Sequence, residues 1–337
     1  MSQTSVYQKF SYENRENVEY RRIVSGNKHF LVKILGAVLL FVLLLPYVIT
    51  SLFGNVGGDN GAAWEKDLAE GNIYIENRTD IGRERIPLEI YLIDKLARSM
   101  NTDYHPEALR AQAVLLRTAL IEELHSLSGG IRGTTYVSDP EYGRGLVNEN
   151  VLAAVASTKG VILTYHDRPA KVAYFAVSNG RTRDGGEAFA QEELAYFKPV
   201  DCNRDFLAEN FTSQKIMNRS EWILTMENKA LGEIAQDLAV HDVKIRRDFG
   251  GYVIDLTIPA SPSPIILSGE ECRLIWGLNS SCFTIDESKN KIIFSVKGVG
   301  HGIGMSQYAA NEMAKGENDY IAILEYFFSG TMLTKFE

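Results

Sequence analysis

The stretch that decides the reading lies near the C-terminal end: Gly298-Val299-Gly300-His301-Gly302-Ile303-Gly304-Met305-Ser306-Gln307-Tyr308-Ala309-Ala310. Glycine alternates with larger residues between the strand-like Lys291 to Val296 and a helical pattern over Met305 to Lys315. Glycine tolerates positive φ and lets a backbone approach its neighbours closely. A dinucleotide-binding turn would need a third glycine at Ile303 or Met305 after the Gly-x-Gly pair, and a phosphate cradle would need Lys followed by Ser or Thr. Neither requirement is met.

Outward from this loop the chain is of ordinary globular composition. Of its 337 residues 45% are hydrophobic and 23% charged, with 28 Gly, 9 Pro and a formal charge of -8. That composition excludes a mainly disordered, collagen-like or Cys-stapled chain. The acidic balance argues against nucleic acid or an anionic membrane surface as the main partner.

From Ile34 to Phe53 the chain reads ILGAVLLFVLLLPYVITSLF without a charge. As a helix this spans about 30 Å, enough for a bilayer core. Arg21, Arg22, Lys28 and Lys33 precede it and Asp59, Glu65 and Asp67 follow, so residues 1–33 are expected in the cytoplasm and the bulk of the chain outside. No small-x-small cleavage site follows promptly, which favours a retained anchor. Residues 54–72, with Gly57, Gly58 and Gly61, read as a flexible tether to a domain over 73–337.

In that domain the patterns predict a strand over Ile73 to Arg78, a helix opening at Ile86-Pro87, and a second helix from Pro106 carrying Leu109, Ala113, Leu116, Leu120 and Leu124 on one face. Ser126 to Gly145 reads as a long loop. A helix over Val151 to Thr158 leads into a hairpin of Gly160 to Tyr165 and Lys171 to Val177. A polar insertion from Ser178 to Asn218 precedes a helix over Glu221 to Ala239. Further strands are expected at 242–246, 252–258, 265–267, 283–285 and 291–296, a helix at 270–276, and terminal helices at 305–315 and 320–328. The class is α+β, mixed helices and antiparallel hairpins in an extracytoplasmic domain preceded by one transmembrane helix. Cys272 and Cys282 are the cysteines most able to pair; burial of all three, with Cys202, as small apolar thiols is the equal alternative. No metal-ligand spacing is present, and no metal or other cofactor is expected.

The glycine run, followed by Met313-Ala314-Lys315-Gly316 and by Tyr326-Phe327-Phe328-Ser329-Gly330-Thr331, resembles the terminal signature of the stage II sporulation protein D family. Further blocks agree in order: Ile86-Pro87-Leu88-Glu89-x-Tyr91-Leu92, Pro106 to Val114 with Arg117-Thr118, Thr158 to Tyr165, and Ser178-Asn179-Gly180-Arg181-Thr182. The resemblance implies a membrane-anchored protein of sporulation that acts during engulfment on peptidoglycan glycan strands stripped of stem peptides. It implies either a lytic transglycosylase or an enhancer of a wall amidase, with engulfment or wall-hydrolase proteins as partners. The acidic chain suits a neutral, peptide-free glycan better than a polyanion.

Cutting a glycosidic bond requires a proton donor for the leaving oxygen, usually a carboxyl group of raised pKa. In the family the resemblance implies a Glu just before Met-Pro; ungapped alignment from Ile86 to Gln112 puts Ser99 there. Glu89 and Glu107, and less directly Asp94 and Asp103, are the substitute acids to weigh. Ser99 as a nucleophile with His105 or His301 as base lacks a visible third member. The zinc-binding His and Cys cluster of some members has no counterpart in Gly130 to Gly145. The expected glycan contacts are Arg110, Gln112, Tyr174, Ser178, Asn179, His301, Gly302, Ser306, Gln307 and Tyr308, with Tyr136 and Tyr142 as further stacking surfaces. His301 has an equal alternative as a residue satisfied by its own loop, and Ser306 as a helix cap. The expectation is a glycan-binding protein with weak or lost cleavage.

Overall fold

The computed structural model describes residues 73–79, 82–128, 133–186, 196–230 and 233–335. The expected tail, membrane span and tether (1–33, 34–53 and 54–72) lie outside the described residues. No helix among the described residues is long and apolar enough to cross a membrane. The chain divides into two compact units, Met1–Arg98 with Arg132–Lys159, and Ser99–Ile131 with Gly160–Glu337.

In chain order the elements begin with β1 (Ile73–Thr79), β2 (Gly82–Pro87), α1 (Leu88–Ser99), α2 (Pro106–Ser128), β3 (Gly133–Val137) and α3 (Glu149–Ser157). There follow β4 (Val161–Tyr165), β5 (Arg168–Pro169), β6 (Tyr174–Phe175), β7 (Thr212–Asn218), α4 (Arg219–Ala230), β8 (Lys244–Arg247), β9 (Val253–Ile258) and β10 (Ile265–Ser268). The last are α5 (Gly269–Ile275), β11 (Phe283–Ser288), β12 (Lys291–Lys297), β13 (Met305–Ser306), α6 (Gln307–Lys315), α7 (Tyr320–Phe327) and β14 (Met332–Lys335). Antiparallel sheets with helices confirm a mixed α and β architecture.

In the first unit β1 is central, antiparallel to β2 and parallel to β3. The apolar face of α1, with Leu88, Leu92 and Leu96, is buried. A polar knot ties α1 to the segment after β3. The buried Asp139 carboxylate accepts the Tyr91 hydroxyl at 2.7 Å and Arg98 Nη2 at 2.7 Å, while Asn77 pairs with its main chain in both directions. Burial alone would raise the Asp139 pKa; the hydrogen bonds from Arg98 and Tyr91 outweigh it and hold the group below the usual carboxylate range. Asp94 accepts Arg98 Nε at 2.7 Å and the Gly145 amide at 2.8 Å. The predicted loop over 126–145 is therefore partly structure, because α2 runs to Ser128 and β3 extends the sheet. The first helix begins two residues later than Ile86, which lies in β2 and pairs with Ile75 of β1.

The second unit is built around two cores. The long helix α2 packs on β4, α6 and α7, and β4 is sandwiched between β5 and β14. The β4–β5 turn places His166 and Asp167 at positive φ, as a tight hairpin requires. Expected strand Lys171 to Val177 does not continue this hairpin. Only Tyr174–Phe175 is extended, and it pairs in parallel with Met305–Ser306. The other core gathers Trp222, Trp276, Phe283 and Phe294 between the sheets β11-β12-β7 and β10-β9-β8.

Two further expectations are corrected in this unit. The insertion 178–218 holds strand β7, which takes the free edge of β12 with Ile292 opposite Met217. The predicted helix to Ala239 stops at Ala230, and Leu238 is buried without being helical. All three cysteines are free thiols. Cys272 sits inside the aromatic core, whereas the Cys282 sulfur receives Asn179 Nδ2 at 3.1 Å, so the two serve different surroundings and do not pair.

Candidate functional site around the glycine loop and Ser99

All the residues of this site lie in the second unit. The glycine loop leaves β12 and is laced to its neighbours by main-chain hydrogen bonds, Val177 with Val299 in both directions and the Gly300 amide to Asn279. Gly302 (φ +80°) faces the buried Tyr252, whose ring would stand 2.4 Å from an added Cβ. At Gly304 (φ +79°) an added Cβ would lie 2.1 Å from the Ala173 carbonyl oxygen. Positive φ and close approach are thus both needed, so the alternating glycines serve packing of the loop against its own unit.

His301 is 8% exposed. Its Nδ1 accepts the Ile303 amide at 3.1 Å, which leaves Nε2 to carry the proton toward the Tyr174 carbonyl. Burial, aided by Arg273 and Arg183 and opposed by Glu270, pushes its pKa down to about 4. The imidazole is neutral at pH 7 and satisfied by main-chain groups of its own loop and of β6. That geometry favours the loop-satisfied reading over an acid or a sugar contact. Beneath it run two buried ion pairs, Arg183 with Asp248 at 2.5 Å and Arg273 with Glu270 at 2.7 Å.

Ser306 caps α6, accepting the Ala309 amide at 3.3 Å, and donates its own hydroxyl to Asp205 Oδ2 at 2.7 Å. The same carboxylate oxygen accepts the Ser178 amide at 2.7 Å. Asp205, in the short 3-10 turn Asn203–Leu207, thus clamps the Ser178-Asn179-Gly180 turn to the start of α6. Its Oδ1 is buried and lacks a hydrogen-bond partner. Burial pushes this carboxyl up, against the hydrogen bonds from Ser178 and Ser306. No spacing in Asn203-Arg204-Asp205-Phe206 announces the role, and sequence reasoning missed it.

Gln307, one residue into α6, reaches the position of the expected acid. Its Nε2 donates to the Ser99 main-chain oxygen at 2.8 Å and to Gln112 Oε1 at 3.3 Å. Asn311, one turn later, accepts the His105 amide at 2.8 Å. The segment from Ser99 to His105 is therefore pinned at both ends by one helix. Gln112 is fully buried and its Nε2 has no partner, an unspent donor beside this junction. Ser99 offers a partly exposed hydroxyl on a fixed backbone. Such a hydroxyl holds its proton far too tightly to protonate a leaving oxygen near neutral pH.

Of the substitute acids, Glu107 and Asp94 are otherwise engaged. Glu107 is ion-paired with Arg110, and its second oxygen accepts the Tyr320 amide at 2.9 Å at the start of α7. That geometry joins α2 to α7 and occupies Arg110 as well. Asp94 is held by Arg98 and Gly145, as described above. Glu89 is 5% exposed and belongs to the first unit. His105 Nδ1 accepts the Glu107 amide at 3.3 Å. Asp103 is exposed.

The structure thus brings Gln112 and Gln307 together at Ser99, and gathers Ser178 and Ser306 on Asp205. Tyr308 donates its amide to Ala176 and is partly exposed. Asn179 is committed to Gly250 O at 2.7 Å and to Cys282. Tyr142 stacks on Tyr91 at 5.7 Å in the first unit. The side chain of Tyr136 lies outside the described residues. Among the described residues no group of three or more His, Cys, Asp or Glu is placed to hold a metal ion.

Comparison with known proteins accords with this layout. The family profile SpoIID, described as "Stage II sporulation protein", matches residues 77–165. Stage II sporulation protein D of Bacillus subtilis (strain 168) is 32% identical over 269 residues, covering 75% of this chain and 76% of that protein. The protein of the same name from Bacillus amyloliquefaciens is 29% identical over 271 residues, 75% of each chain. An amidase enhancer of Bacillus subtilis (strain 168) is 25% identical over 299 residues, 72% of this chain and 40% of that protein. With about a third of the aligned positions identical across three quarters of both lengths, the chain belongs to the stage II sporulation protein D family of sporulation proteins.

Proposed function

We propose that the chain is a single-pass membrane protein of sporulation whose folded part, outside the membrane, binds peptidoglycan glycan strands stripped of stem peptides and cleaves them weakly or not at all. Residues 1–33 are its cytoplasmic tail, 34–53 its anchor and 54–72 its tether to the folded part at 73–337. The observation that carries the reading is Ser99. The family resemblance calls for a carboxyl group there, and the residue is a serine whose backbone is tied to Gln307. Loss of a general acid removes on the order of 10² to 10⁴ in rate. Of the nearby carboxylates in sequence, Glu107 and Asp94 are spent in ion pairs.

The test is digestion of purified stripped glycan by the full-length chain, with mass analysis of products beside a cosedimentation assay. Binding without release of 1,6-anhydro ends is expected, and Ser99→Glu is expected to create or raise cleavage. Robust scission by the unmodified protein, free of contaminating lysins, would show that it works as a transglycosylase and that Ser99 is not at the acid position. A second reading is supported by the likeness to an amidase enhancer. Under it the chain changes product yield only when the amidase is added.

A further inference from the structure

A groove of about 710 Å³ opens in the second unit, away from Ser99 in sequence and unused by the reading above. Its floor is the solvent face at one end of the sheet β11-β12-β7. Thr284, Ser295 and Gln214 stand side by side across the three strands, and Thr212 stands opposite Lys297. Because side chains alternate along a strand, this face is hydroxyl, amide and ammonium while Val296 and Phe283 point into the core. The wall is the turn after β8, with Arg247, Gly250 and Gly251, and the Asn179 side chain.

The charge of this lining is notable in a chain of net charge -8. Arg247 and Lys297 both line the groove, and no carboxylate does. The Arg247 guanidinium is steadied by the Gly251 carbonyl at 3.2 Å, and it shares the groove lining with Lys297 and Cys282, while the nearby Asp248 is paired with Arg183. Among the described residues Lys297 has no carboxylate partner. Phe249, between the lining residues Arg247 and Gly250, is 88% exposed, with the Arg181 guanidinium 5.8 Å from its ring centre. An aromatic face beside cations and a row of hydroxyls and amides suits a sugar chain that carries a negative group.

A stripped strand is such a chain. Hydrolysing the amide that held the stem peptide leaves a carboxylate on the lactyl ether of each sugar that had carried one, so stripping adds negative charge to a strand with few other ionised groups. Resting on the glycan-binding reading, we infer that the Arg247–Lys297 groove is a subsite that reads this lactyl carboxylate, and so distinguishes stripped from peptide-bearing strands. A stripped strand is thus not the neutral glycan expected from the sequence but an anion with one carboxylate on each such sugar, and the two cations mark where one of these carboxylates is accepted in an otherwise acidic chain.

The experiment measures cosedimentation of the full-length chain, in detergent micelles at low salt, with stripped glycan and with the same glycan whose carboxylates are converted to methylamides. Arg247→Gln with Lys297→Gln is expected to weaken binding to the untreated strand about five- to tenfold and to leave binding to the amidated strand unchanged. Lys289→Gln with Lys335→Gln, which removes the same charge outside the groove, is expected to bind like wild type. Circular dichroism and urea midpoints check that the variants fold. Equal binding of both strands by wild type, or an unaffected double variant, overturns the subsite and leaves the glycan reading standing. Failure of wild type to bind either strand overturns the glycan reading and the subsite with it. Tighter, groove-dependent binding of a wall phosphate polymer than of stripped glycan overturns the assignment to a carboxylate.

Discussion

Replacing Gly302 by alanine tests whether the glycine alternation exists for packing. Two costs are separable. A non-glycine residue at φ +80° is strained by about 1 to 2 kcal/mol. The new methyl would also stand 2.4 Å from Cζ, 2.6 Å from Cε1 and 2.7 Å from the hydroxyl of Tyr252. That residue is 1% exposed, its ring lies 5.2 Å from the Arg183 guanidinium and its hydroxyl accepts the Asn179 amide at 3.2 Å, so it has no free direction in which to yield. Overpacking of this kind costs about 1 to 3 kcal/mol, and the total is expected near 2 to 5 kcal/mol. Gly330→Ala supplies the comparison, since Gly330 has φ +87° but nothing within 4 Å of an added Cβ. It is expected to lose only the strain of about 1 to 2 kcal/mol. Urea unfolding of both variants, and of Gly302→Ala combined with Tyr252→Leu, isolates the steric part. The double variant should be less destabilised than the sum of its singles by about 1 to 3 kcal/mol. Equal losses for Gly302→Ala and Gly330→Ala, with strict additivity in the double variant, would refute the packing argument.

Three further outcomes are expected. The folded state holds His301 neutral down to about pH 4, whereas an unfolded chain takes up the proton near pH 6.5; stability is therefore lost as pH falls from about 6.5 to about 4 and levels off below, amounting to about 3 kcal/mol, and His301→Gln should flatten that slope in urea midpoints measured against pH. Gln307→Leu removes the amide donor to the Ser99 carbonyl and to the Gln112 side-chain oxygen, leaving a second unsatisfied end on a buried Gln112 amide whose Nε2 already lacks a partner, which should cost about 2 to 4 kcal/mol in thermal unfolding, with partial recovery when Gln112→Leu is added. Asp139→Ala leaves Arg98 and the Tyr91 hydroxyl facing an empty site and should cost about 3 to 5 kcal/mol at pH 7; because the folded-state pKa of Asp139 is depressed, its contribution is present above the ordinary carboxylate pKa and disappears as pH falls through the lower folded value, so the variant and wild type should converge in strong acid.

Long helices and strong turns were legible because their causes are local. The apolar stripe on α2 and the alternation of Ile292, Phe294 and Val296 in β12 depend on residues a few positions apart, and the β11–β12 hairpin follows from Lys289 and Asn290 accepting positive φ at its tip. The strands missed were edge strands. Thr212 to Asn218 is mostly exposed and mixed in polarity, so nothing within it reports that β12 lies more than seventy residues onward to receive its hydrogen bonds. The same holds for Met332 to Lys335, which closes on β4 from the far end of the chain.

The sequence by itself determined the family, the α+β class, the uncharged span at 34–53 and the serine where a carboxyl group is expected, because each is a matter of which residues stand in what order. Tertiary structure alone decided what those residues do. It turned His301 inward onto its own loop, spent Glu107 and Asp94 on ion pairs, separated Cys272 from Cys282, and made Asp205 the clamp between two turns. Hydrogen bonds and burial join residues distant along the chain, and the protonation and availability of a side chain follow from those neighbours.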